Sequence, residues 1–175
     1  MERADQEIRA AAFADASRSP DAETFARLAA EDARRLARLK EIVAEIGWPR
    51  ANAVGPDAAH AAWILAQHAD TDPDFQEWVL AEITPLVATG EVDGDDFALL
   101  TDRVRANRGK PQVYGSQYRF WRDASGLHVE PTTPIEDPER LDERRARLGL
   151  VPHERYLELL REYYRLDPVP GESEK

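Results

Sequence analysis

The stretch Ala58–Asp70, AAHAAWILAQHAD, is an apolar run that ends in an amide, an imidazole and a carboxylate: Gln67, His68 and Asp70. A helix apolar on every side belongs in an interior, where polar groups need partners or a chemical task. Imidazole titrates near neutral pH, so His68 is the candidate general acid or base. Its ring would be oriented by Asp32, which interrupts the apolar stripe of an earlier helix, or by Asp102, at the buried end of a later one. Arg103 would hold an anionic group. Gln112, Tyr114 and Gln117 gather around Gly115, where backbone can approach closely. With Gln67 and Asp70 they form the expected substrate-binding set, Tyr114 and Gln117 binding or polarising a carbonyl. The chemistry implied is cofactor-independent hydrolysis or another proton transfer on a small polar or anionic molecule. The competing reading is a non-catalytic ligand-binding or interaction module, in which the same polar groups lock a core network. On that reading Asp32 pairs with Arg35 or Lys40, Asp102 and Arg103 form a surface pair, and Tyr114 is core packing.

Several chemistries lack their residues. Cysteine is absent, which excludes a thiol nucleophile, disulfides and thiolate metal sites and suits a reducing cytoplasm. Neither GPDAAH nor RGKPQ has the spacing of a phosphate-cradling glycine loop. Around Ser116, YGSQ lacks the second glycine of a nucleophile elbow. No HExxH occurs, and His60 and His68 stand two helical turns apart, about 12 Å along the axis, too far for direct ligation of one metal ion. No metal site or cofactor is expected, and His60, His128 and His153 read as structural or exposed. With 34 acidic residues against 23 basic, the net charge of −11 opposes binding to nucleic acid. The clusters Arg34–Arg35–Arg38 and Arg144–Arg145–Arg147 are interleaved with carboxylates and read as solvated faces. No run approaches the roughly 18 apolar residues of a membrane span, nor the apolar core of a signal peptide. Oligomeric state is not encoded in these patterns.

The elements that must position these groups are mainly helical. After an Ala-rich, charged segment over 1–20 that reads as frayed or mobile, Asp21 caps a helix to about Ile46 with an apolar stripe through Phe25, Leu28, Leu36, Leu39, Val43 and Ile46. Gly47 ends it. Following the loop RANAVG, Asp57 caps the central buried helix. Asp72-Pro73 opens another, carrying Phe75, Trp78, Val79, Ile83 and Leu86, with Pro85 expected to kink or divide it. A helix from Asp95 to about Asn107 turns Phe97, Leu100 and Val104 inward. From Pro111, QVYGSQYRFW and LHVEP flank the turn Asp123-Ala-Ser-Gly126 as a hairpin. Asp137-Pro138 opens a helix ended by Gly149, and a last helix runs from about Pro152 to Leu166. The whole reads as one helical domain over 21–166 with one small β-hairpin, followed by a loose tail over 167–175.

The ordered segments AAWILAQHAD, LLTDRV, QVYGSQ, PIEDP and RRARLGL resemble a bacterial family catalogued as a domain of unknown function, whose members carry QHAD, YGTQ and PIED…RR..LGL in that order. The likeness covers about Asp32 to Tyr156, with Ser116 in place of the threonine of YGTQ. It implies that His68, Asp70, Asp102, Arg103, Tyr114, Gln117, Glu136 and Asp137 belong to the family's recurrent polar set. It implies no reaction.

Overall fold

The computed structural model describes residues 22–123 and 126–163. The segments expected to be loose, 1–20 and 167–175, the Asp21 cap and the end of the last helix beyond Tyr163 lie outside the described residues. The fold is mainly α, with one small two-stranded antiparallel hairpin. It contains two compact units, Met1–Leu100 and Thr101–Lys175, the boundary falling inside one helix.

In the first unit, helix α1 spans Ala22–Ile46. Its buried stripe is Leu28, Leu36 and Leu39, joined by Arg35, while Ile46 is exposed. Arg35 was expected on a solvated face; instead it is buried, its charge met by Glu31 at 3.5 Å and Asp32 at 3.7 Å on the same helix. Gly47, at φ +73°, donates back to the Val43 carbonyl and ends the helix. The expected loop RANAVG contains a short helix, α2 (Ala51–Val54). Helix α3, Pro56–Gln67, follows through Gly55 at φ +86°, a conformation open to glycine. Asp57 therefore lies in the first turn of α3 rather than at its N-cap. That turn is exposed, and burial is confined to the later half, at Ala62, Trp63, Leu65, Ala66 and Gln67. Helix α3 packs on α1 and on α4, Pro73–Val87. Helix α4 passes through Pro85 undivided, because the proline falls in its last turn.

Gln76 joins α3 to α4. Its buried Nε2 donates to the carbonyls of Ala66 and Gln67, at 3.1 and 3.2 Å, and to Asp70 Oδ1 at 3.4 Å. Terminal carbonyls have no partner within their own helix, so a side chain from the next helix supplies one. Asp72 caps α4 by accepting from Phe75 N–H at 3.0 Å and also pairs with Lys40 of α1.

Helix α5 spans Gly94–Asn107 and crosses the unit boundary. In the second unit, β1 (Tyr118–Asp123) pairs with β2 (Gly126–Pro131), Phe120 opposite Val129 and Trp121 opposite His128. The first strand is shorter than expected: QVYGSQ is a loop, tied to the chain beyond β2 by a parallel bridge between Gln112 and Ile135. A 3-10 turn, Pro138–Arg140, leads into α6 (Leu141–Arg147), and α7 spans His153–Tyr163. Asp137 precedes the turn in a left-handed conformation and makes no side-chain cap bond. Among the described residues no helix is long and apolar enough to cross a membrane.

The Lys40 hydrogen bond first, and the Phe75 N–H second, hold the Asp72 carboxyl below its ordinary value of 3.8. A lowered carboxyl stabilises the fold above its unfolded pKa and loses that contribution as pH falls through the folded value. Asp72→Ala is expected to cost about 1 kcal/mol at neutral pH. Urea titrations should show the gap between wild type and variant closing as the pH falls below 3.8.

Candidate functional site

Two groups of polar residues stand out, one in each unit. In the first unit, a cavity of about 590 Å³ opens between the connection Trp48–Pro49–Arg50, helix α3, the buried floor residues Ile83 and Leu86 of α4, and the segment from Glu91 to Asp96. His60 and Trp63, three residues apart, share one face of α3. Their rings stack at 5.5 Å between centroids and 17° between planes. His60 Nδ1 lies 3.3 Å from Asp96 Oδ2, on the first turn of α5. Burial is the main cause that pushes the Asp96 carboxyl above its ordinary value; His60 opposes the rise, and Asp93 and Asp95 add to it. The imidazole is half exposed, and its Nε2 is the second nitrogen through which a proton could pass. Two residues that line the cavity each bury a polar atom with no hydrogen-bond partner among the described residues, Trp63 Nε1 and Glu91 Oε2. Arg50 Nε stands 4.0 Å from that glutamate oxygen, an ion pair too long for a hydrogen bond.

In the second unit, the polar residues around Asp102 bond one another and the loop backbone. Asp102 is 0% exposed. Its carboxylate accepts from the backbone N–H of Val113 at 2.6 Å, Tyr114 at 3.0 Å and Ser116 at 2.8 Å. Gln112, equally buried, donates to the carbonyls of Gln117 and Thr133, both at 3.0 Å, and accepts from Gln117 N–H at 2.8 Å. Two arginines of α6 serve the carbonyls of the same loop. Arg144 donates to Val113 O, and Arg145 donates to Tyr114 O at 2.7 Å and Val151 O at 2.8 Å. Arg145 is 2% exposed and lies over the Tyr156 ring, 4.8 Å from its centroid. It was expected on a solvated face; the loop carbonyls and an aromatic face replace its water instead. Tyr156 in turn donates to Ser116 O at 2.9 Å. Gly115 sits at φ +61°, and a Cβ there would lie 3.0 Å from Ile135 and 3.2 Å from His153.

His153 was read as structural or exposed; it is half-buried and bonded to the Tyr118 hydroxyl. Burial, then the nearby Arg145 charge, lowers its pKa, while burial pushes Tyr118 up to about 12. Both therefore stay neutral at neutral pH. The Tyr118 hydroxyl and His153 Nε2 share one hydrogen bond.

Of the residues singled out from sequence, Asp102, Gln112, Tyr114 and Gln117 come together in this network. Tyr114 is half-buried, and burial, followed by the Asp102 charge, raises its hydroxyl's pKa. Arg103 is half-buried on α5. Gln67 and Asp70 meet at Gln76 in the first unit, with Gln67 Oε1 buried and unpartnered. Asp32 pairs with Arg35. His68 is half-buried at the C-cap of α3 and donates its backbone N–H to Ile64 O at 3.1 Å. The cavity residues His60, Trp63, Glu91 and Asp96 were passed over. Only the i, i+3 spacing of His60 and Trp63 was visible in the sequence. Among the described residues no group of three or more His, Asp or Glu is arranged to hold a metal ion.

The chain belongs to a family of unknown function, DUF6624, whose model matches residues 1–168. No curated protein and no solved structure matches the chain significantly.

Removing the Asp102 carboxylate strands three backbone donors in an interior that water does not reach. Asp102→Ala is expected to cost about 3–5 kcal/mol, measured by chemical denaturation, with faster amide exchange at Val113, Tyr114 and Ser116. A loss below about 1 kcal/mol would mean that the loop is held without it.

Proposed function

We propose that this protein binds a small polar molecule in the cavity of its first unit and acts on it by proton transfer, hydrolysis being the simplest such reaction. The observation that carries the proposal is the His60–Asp96 pair on the wall of a cavity lined by tryptophan. A carboxylate at Nδ1 fixes which imidazole nitrogen carries the proton and stabilises the imidazolium when Nε2 takes a second one. In a hydrolysis, His60 Nε2 would take a proton from water as its oxygen bonds to the carbonyl carbon, then return it to the departing group. Asp96, whose proton affinity is raised by burial, suits a group that shares a proton with that ring.

The saturated network around Asp102 supports an architectural role for Asp102, Gln112, Tyr114 and Gln117, in line with the non-catalytic reading of that set. His68, half-buried at the C-cap of α3, is the second catalytic candidate. The absence of cysteine supports a cytoplasmic setting. A net charge of −11 favours a small molecule over nucleic acid as partner.

Incubation of the purified chain with a cell metabolite extract, followed by mass spectrometry, tests the assignment. The wild type is expected to consume at least one metabolite. His60→Gln should slow that consumption about 100-fold or more with its melting temperature within a few degrees of wild type. His68→Gln should retain the rate. The reverse pattern would move the site to His68, and retention in the cavity without consumption would make the protein a binding module.

A further inference from the structure

His60 is half exposed, and no residue of α3 before Ala62 is buried, so the packing around it does little to limit how its side chain turns. Among the described residues two polar and ring contacts restrain the imidazole. Asp96 Oδ2 lies 3.3 Å from Nδ1, and the Trp63 indole lies within 17° of parallel at 5.5 Å between centroids, in the range of an offset stack. The two contacts do different work. A hydrogen bond at one ring atom leaves the ring free to pivot about that atom, whereas a stacked face fixes its plane. Only together do they fix where the far nitrogen, Nε2, stands. Trp63 has the means to act as the fixed partner. It is 9% exposed, so its indole is itself held by close packing. On a helix the Cα–Cβ bond tilts toward the N-terminus, which leans the indole back over the turn that carries His60.

We infer that Trp63 is a positioning residue for His60: its indole face sets the plane of the imidazole while Asp96 anchors Nδ1, so that Nε2 keeps one place from which to exchange a proton. The inference rests on His60 being the acid–base group of the cavity, and Trp63 itself moves no proton. A tryptophan that served as core packing alone could be replaced by any apolar side chain of sufficient bulk. Positioning requires a flat one. Proton transfer needs donor and acceptor within hydrogen-bond reach, and a misplacement of about 1 Å can cost about 100-fold in rate.

Two measurements on the full chain test the assignment. The imidazole nitrogen resonances of His60, identified with His60→Gln, read the ring itself. In the wild type the neutral ring should carry its proton on Nδ1, with Overhauser contacts between imidazole and Trp63 indole protons. In Trp63→Leu the nitrogen pattern should move toward a mixture of the two tautomers, and Trp63→Phe, which keeps a flat face, should restore it. Consumption of the metabolite reads the consequence. Trp63→Leu is expected to lower kcat about tenfold or more with KM within about threefold, and Trp63→Phe to recover most of the loss. Should Trp63→Leu not fold, Trp63→Met fills irregular space without offering a flat face and carries the same expectation. A wild-type ring with no Overhauser contact to Trp63 overturns the inference, as does a tautomer that survives loss of the indole. A Trp63→Leu variant that raises KM and leaves kcat alone would make Trp63 a wall of the cavity and nothing more. If the ring responds as expected but the wild type consumes nothing, Trp63 holds the imidazole and the proposed reaction alone falls.

Discussion

A buried carboxylate needs something to replace the water it has lost, and for Asp102 the replacement is the backbone of a single loop. Three N–H groups between Val113 and Ser116 turn toward it, so the loop cannot relax into a strand without leaving the charge bare. The loop carbonyls are then left facing away. Arg144 and Arg145 supply the donors for them, and Gln112 clamps the two ends of the turn. In this arrangement an acid and two guanidiniums of opposite charge never touch in the contacts described; each is satisfied through the peptide groups between them. The bent backbone brings Gly115 against Ile135 and His153, which leaves no room for a side chain.

The matching around Asp102 is local. Trp63 Nε1 and Glu91 Oε2 in the first unit, and the Thr101 and Thr133 hydroxyls in the second, are buried without a hydrogen-bond partner among the described residues. Saturated networks make structure rigid and specific, and unsaturated ones leave binding capacity in reserve.

Much of the helical scaffold was legible because period and punctuation agree. Asp72-Pro73 opens α4, Gly47 closes α1, and the pairing of β1 with β2 runs to Asp123 and Gly126. Three things were not legible, each for a physical reason. Helical spacing shows the carboxylates Glu31 and Asp32 beside Arg35 but not that its guanidinium is buried, and it gives no sign that Arg145 lies over Tyr156 of the next helix. QVYGSQ has the composition of a strand, but a distant carboxylate claims its N–H groups. His60 looked exposed at the start of a helix, and its partner Asp96 lies 36 residues away. His68 drew attention because its neighbours are apolar, and it sits half-buried beside the buried later half of α3.

The network around the QVYGSQ loop also carries an order of assembly. Asp102 reaches Val113 across 11 residues of chain, whereas Arg145 reaches Tyr114 across 31. In a flexible chain the longer closure costs about 0.9 kcal/mol more in entropy, so the acid can gather the loop before α6 arrives. The nascent turn would then present ordered carbonyls for the two arginines to find. On that order the carboxylate would be a nucleating template, and the guanidiniums late latches that close on a shape already formed.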